Sequence, residues 1–149
     1  MTPVENVYDK FVSLVDDIDF EKFSDEDIEH HFRNWLELAI TEFVDFYDKY
    51  KPSIEQDNIG NCYIVKNNNR MLTLEETNIL AHGMCIFWFD SKVQRKEMLE
   101  QRFNTRDYNQ LSNANMLAQN KELRKDLRTN FFVLTNRYRN KDEDMGGLN

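Results

Sequence analysis

The sequence predicts a mainly α protein: a helical bundle of four to five helices, with a small β-hairpin insertion and a flexible C-terminal tail. Three observations predict it. Two prolines and four glycines in 149 residues are too few for the many turns of an all-β fold. Apolar residues recur at helical spacing through most of the chain, the pattern of amphipathic helices. A content of 40% hydrophobic and 13% aromatic residues suffices for one domain with a core of its own. The expected division is one helical domain over residues 1–141, its hairpin at about 58–72, and a tail over 142–149.

The first helix is expected to start with Thr2 as cap, Pro3 at the first helical position and Glu5 closing a capping box. Val4, Val7, Tyr8, Phe11, Leu14 and Val15 share one face. A linker with Phe20 and Phe23 follows. Ser24 opens a second helix whose wide stripe is Ile28, Phe32, Trp35, Leu36, Ala39, Ile40, Phe43, Phe46, Tyr47 and Tyr50. Pro52 stops it, because the residue before a proline avoids the helical region. Residues 62–65, Cys-Tyr-Ile-Val, form a β-prone run, 66–69 a turn, and 70–72 the expected return strand. Such a hairpin is marginal in water unless it leans on something.

Thr73 and Glu76 form a second capping box and open the third helix. Its run Met84-Cys85-Ile86-Phe87-Trp88-Phe89 is apolar on nearly all sides and therefore asks for cover on nearly all sides. A small bundle covers one face of such a helix more easily than two, which directs Met84, Phe87, Trp88 and Phe89 toward another subunit or protein. Gly83 costs this helix about 1 kcal/mol relative to Ala, a loss that close approach of a neighbouring backbone offsets. Asp90 and Ser91 are expected to bend or cap the chain before a fourth helix over 93–103. Residues 106–120 read as a polar joint in which Ser112 caps a fifth helix running to about Arg139.

A net charge of -8 argues against a protein that grips phosphates over a broad face. The charge is uneven: the acid excess precedes Lys51, whereas the last long segment carries Lys121, Arg124, Lys125, Arg128, Arg137, Arg139 and Lys141 against Glu122 and Asp126. This row suits a phosphate backbone, an acidic neighbour or a solvated helix face. Cys62 and Cys85 fit no disulfide framework or paired zinc spacing, and reduced thiols are expected. No signal peptide and no membrane span are expected.

No pattern points to catalysis, a cofactor or a metal. His30 and His31 are adjacent on a helix and point in different directions. His82 and Cys85 have no second pair, and the apolar run around Cys85 raises its pKa and disfavours a nucleophile. The acidic clusters lie at helix starts and linkers, where they stabilise the dipole. Phosphate loops and nucleophile elbows are missing from the sequence.

Two segments together resemble the head-to-tail connector (neck adaptor) proteins of tailed bacteriophages. In residues 72–89 the matching positions are Leu72, Thr73, Glu75, Glu76, Ile79, Leu80, Ala81, Gly83, Met84 and Trp88. In residues 107–120 they are Asp107, Tyr108, Ser112, Ala114, Asn115, Met116 and Leu117. The family pattern has Pro after the Ser, where this chain has Asn113. The match covers about the second half of the chain.

The resemblance implies a virion structural protein at the neck, made in the host cytoplasm and assembled as a homo-oligomeric, dodecameric ring. It implies the portal protein and the next neck or tail component as partners, with genomic DNA passing through the lumen without sequence specificity. Tyr108, Ser112 and Asn115 would join Met84, Phe87, Trp88 and Phe89 at subunit or partner interfaces. Lys121, Arg124, Lys125 and Arg128 would face the channel or a charged neighbour. Arg137, Tyr138, Arg139, Met145 and Leu148 would belong to a tail that docks on the portal. Two other classes stay open: an acidic helical inhibitor or DNA mimic acting on a host DNA-binding protein, and a helical regulator binding nucleic acid through its last helix.

Overall fold

The computed structural model describes the backbone of residues 1–15, 25–102 and 108–147, and the side chains of 1–15, 26–93 and 118–141. Its elements run β1 (Thr2–Pro3), α1 (Val4–Leu14), α2 (Asp25–Glu42), α3 (Val44–Tyr50), β2 (Ser53–Gln56), β3 (Cys62–Val65), α4 (Leu74–Arg102) and α5 (Tyr108–Gly147). The protein is mainly α with a small antiparallel sheet, as the sequence predicts.

α4 is the axis of the bundle: α1, α2 and α5 all pack on it. Between them they bury Val4, Val7, Phe11, Leu36, Ala39, Phe43, Ile79, Leu80 and Met84. The nearly all-round apolar character of residues 84–89 is thus largely answered inside one chain. Gly83 is where α2 crosses α4. A Cβ built there would lie 2.8 Å from Ala39 Cβ and 3.1 Å from Phe131 on α5, so the expected close approach is present and comes from two helices.

Several element boundaries differ from the sequence expectation. Thr2 and Pro3 are not a helix start; they form an edge strand whose partners are Ile64 and Tyr63. The Thr2 side chain is buried, and its Oγ1 accepts the Leu72 N–H at 2.7 Å. Pro at a sheet edge costs no ladder bond if its nitrogen faces away. The second helix is two: Phe43, with φ -82° and ψ 71°, separates α2 from α3. No Pro or Gly marks this break. Its effect is to seat Phe43 and Phe46 together in the core, their rings 5.1 Å apart. α3 ends on Lys51 in the left-handed region, and Asn67 closes its end by donating to the Tyr50 and Lys49 carbonyls.

The hairpin lies earlier than 58–72. β3 pairs with β2, Ser53 opposite Val65 and Gln56 opposite Cys62, around a loop organised by Asp57. One carboxylate oxygen of Asp57 accepts the N–H groups of Ile59 and Asn61, and the other accepts the Tyr63 hydroxyl. The Asn61 N–H above all holds this carboxyl below its usual range. Residues 66–69 do turn, with Asn69 at φ 59°, but 70–72 carry the chain into α4 instead of returning as a strand.

The third and fourth predicted helices are one, α4, which continues through Asp90 and Ser91 to Arg102. Its start is the predicted capping box: the Glu76 N–H donates to Thr73 Oγ1, and the Thr73 N–H donates to Glu76 Oε1. α5 starts at Tyr108, so Ser112 is inside the helix and not its cap. It runs past Arg139 to Gly147, taking in most of the segment expected to be a tail. Leu148 lies outside the described residues.

Candidate interaction surface

α5 lies antiparallel on α4 in one register, visible in three layers spaced seven residues apart on each helix. Arg124 meets Asp90, Phe131 meets Gly83, and Tyr138 meets Glu76. A seven-residue step is the spacing at which two helices keep the same faces together. Leu127, Phe131, Leu134 and Tyr138 pack against the core.

The basic row is divided by this docking. Arg124 Nε sits 2.9 Å from Asp90 Oδ1, and Arg128 Nη2 sits 3.6 Å from Asp90 Oδ2. Lys121 and Lys125 make no ion pair among the described residues and stand in solvent. The four cations are therefore not equivalent: Arg124 and Arg128 clamp α5 to α4, and Lys121 and Lys125 stand exposed. The clamp is exposed, and such pairs contribute about 0–1 kcal/mol each.

The residues predicted to form a docking tail are also divided. Tyr138 is half-buried, its ring edge-on to Phe43 at 4.9 Å. Arg139 pairs with Asp45 at 3.0 Å, and Lys141 with Glu75 at 3.4 Å. Arg137 is exposed beside Glu75, Asn78 and Leu134 in a shallow groove. Met145 falls in the last turns of α5. So Tyr138 and Arg139 hold the helix to its own body.

Of the apolar interface candidates, Met84 is sealed in the core and has no surface to give to a partner. Phe87, Trp88 and Phe89 are half-buried. The Lys92 ammonium lies 5.1 Å over the Trp88 ring. Tyr108, Ser112 and Asn115 sit in the first turns of α5; their side chains lie outside those described.

A groove the sequence reading missed runs between the α2–α3 break and α5. It has a volume of about 460 Å³, with Ile86 and Phe131 among its lining residues and Val44, Phe132, Arg128 and Arg139 around them. Phe132 is 63% exposed and Val44 55%. Two large apolar side chains thus stand exposed beside one groove. Phe132 was hard to foresee, since it sits beside Phe131 and only the register tells which one faces inward.

A second missed feature is buried. Glu76 is 1% exposed and Lys66 3%, with Lys66 Nζ donating to Glu76 Oε1 at 2.9 Å. The other carboxylate oxygen accepts the Tyr138 hydroxyl at 2.7 Å. The Lys66 ammonium also lies 4.3 Å over the Tyr50 ring. Burial and the neighbouring Glu76 carboxylate push the Tyr138 hydroxyl well above its ordinary value. The capping box pointed to Glu76 but not to its burial.

The thiol and imidazole groups are not arranged as reacting pairs. Burial pushes the Cys85 thiol up to about 12, and His82 Nδ1 lies 2.8 Å from the Asn78 carbonyl of its own helix. Among the described residues no three His, Cys, Asp or Glu side chains gather as metal ligands, and no helix is long and apolar enough to cross a membrane. The surface presents apolar side chains beside a groove, two exposed lysines, and a helix held in a set register. Compared with family models, curated proteins and solved structures, the chain matches none.

Proposed function

We propose that this chain is a head-to-tail connector adaptor of a tailed bacteriophage, a structural protein that docks as a ring on the portal and links capsid to tail. The observation that carries the reading is the ordered pair of motifs in residues 72–89 and 107–120. The geometry of the first motif supports it. The Thr73–Glu76 box and Gly83 each do a definite job, one starting α4 and the other admitting α2 and α5 at close range. The motif positions at Glu76 and Gly83 therefore set how α5 lies on the body. The groove bearing Val44 and Phe132 is a surface for a neighbouring subunit or for the portal, and Lys121 and Lys125 are the cations left for an acidic neighbour or the lumen.

Electron microscopy of the purified chain mixed with its cognate portal ring tests the reading. The expected result is an added ring of density on the portal. Phe132→Glu, at an exposed position, should leave folding intact and abolish that density. A wild-type mixture showing bare portal rings at micromolar protein would overturn the assignment.

A further inference from the structure

Glu76 joins parts of the chain that are far apart in sequence. Lys66 directly follows β3, Thr73 starts α4, and Tyr138 lies on the distal half of α5; all three donate to its carboxylate. Tyr50, at the end of α3, closes the other side of the Lys66 ammonium. No buried side-chain polar atom among the described residues lacks a partner.

We propose that this carboxylate is a coupling device that makes the docking of α5 and the order of β3 one cooperative event. The physical reason is burial. Water cannot replace a lost donor at a group that is 1% exposed. Removing one donor therefore leaves a buried charge less compensated and weakens the geometry of the others. α5 packs chiefly on α4, and among the described residues the Glu76 node is a buried polar link between the end of β3 and the last helix. Two surfaces are thereby connected. One is the hairpin, with Ile59 exposed at its tip beside a free β2 edge; the other is α5 with its groove. A partner that holds either one favours the ordered form of the other, and the effect is reciprocal.

Hydrogen exchange of the full chain tests the coupling. Tyr138→Phe removes one O–H and keeps the ring that meets Phe43. Amides of β3 (Cys62–Val65) should then exchange about tenfold faster, the opening expected from losing a hydrogen bond to a charged group. Those of α1 should stay at the wild-type rate. Arg139→Gln, which removes a neighbouring exposed ion pair, should leave β3 unchanged. From the other side, Lys66→Gln removes the cation but keeps an N–H donor for the carboxylate; amides of 131–141 should exchange several-fold faster, beyond any change in α1. Acceleration confined to α5 in Tyr138→Phe overturns the proposal. So does equal acceleration of α1, which would make Glu76 a general stabiliser only. If Tyr138→Phe does not fold, the Lys66→Gln measurement decides, and wild-type exchange over 131–141 overturns the coupling.

Discussion

Gly83 and Ala39 are the contact that lets α2 lie against α4: a Cβ on Gly83 would fall 2.8 Å from the Cβ of Ala39. Real Cβ atoms do not approach that closely, and here neither side can swing aside, since both carbons are fixed to helix backbone. The same glycine receives the Phe131 ring from α5.

Gly83→Ala should therefore destabilise the protein although alanine is the better helix former. Propensity favours the change by about 1 kcal/mol, and overpacking opposes it by roughly 1–3 kcal/mol. A net loss of about 1 kcal/mol is expected in a urea titration. A stabilised Gly83→Ala protein would mean that α2 and α4 do not cross at this point.

Lys66→Met should cost far more than its loss of a surface lysine would suggest. It leaves the Glu76 carboxylate buried without its cation, a situation that costs about 3–5 kcal/mol. The double variant Lys66→Met/Glu76→Leu should recover much of that loss, because no charge then remains inside. Two single losses that simply add in the double variant would show that the pair is not buried.

Cys85 should give stability a pH dependence on the alkaline side. Burial raises its pKa from 9.0 to about 12, so the unfolded chain loses this proton first. The contribution is fully present below about pH 9 and is lost as pH rises from there to about 12, at ~1.4 kcal/mol per pH unit. Comparing denaturant midpoints of wild type and Cys85→Ala across this range isolates the effect; parallel curves would refute it. The folded thiol should also resist aromatic disulfide reagents at pH 8 until denaturant is added.

Ser112→Ala distinguishes two accounts of the last helix. As a cap, Ser112 would lose about 1 kcal/mol on substitution. Inside α5, where the structure places it, the same change should be neutral or gain up to about 0.5 kcal/mol. A thermal melt reads the sign.

Local grammar accounts for what was legible. Thr73 and Glu76 announced the start of α4 because a capping box is four consecutive residues of self-contained chemistry. The apolar stripes announced which faces go inward: most of the stripe residues predicted for the first two helices are buried, whereas Leu14 and Tyr47 are exposed. The β-prone run at 62–65 is a strand. The placement of its partners was not legible: Ser53–Gln56 has weak β preference, and Thr2–Pro3 reads as a helix start until Ile64 and Tyr63 are beside it.

The same division holds for the candidate surface. Composition and periodicity were enough for a helical bundle with a basic last helix, because those depend on each residue and its near neighbours. Whether Arg124 and Arg128 serve a partner or Asp90 depends on which helix lies opposite. Whether Phe131 or Phe132 faces outward depends on where α5 is seated on Gly83. Tyr138 belongs to the body because it reaches a carboxylate sixty-two positions earlier in the chain. These outcomes follow from the register of α5 on α4, a relation between distant segments that exists only once the helices have packed.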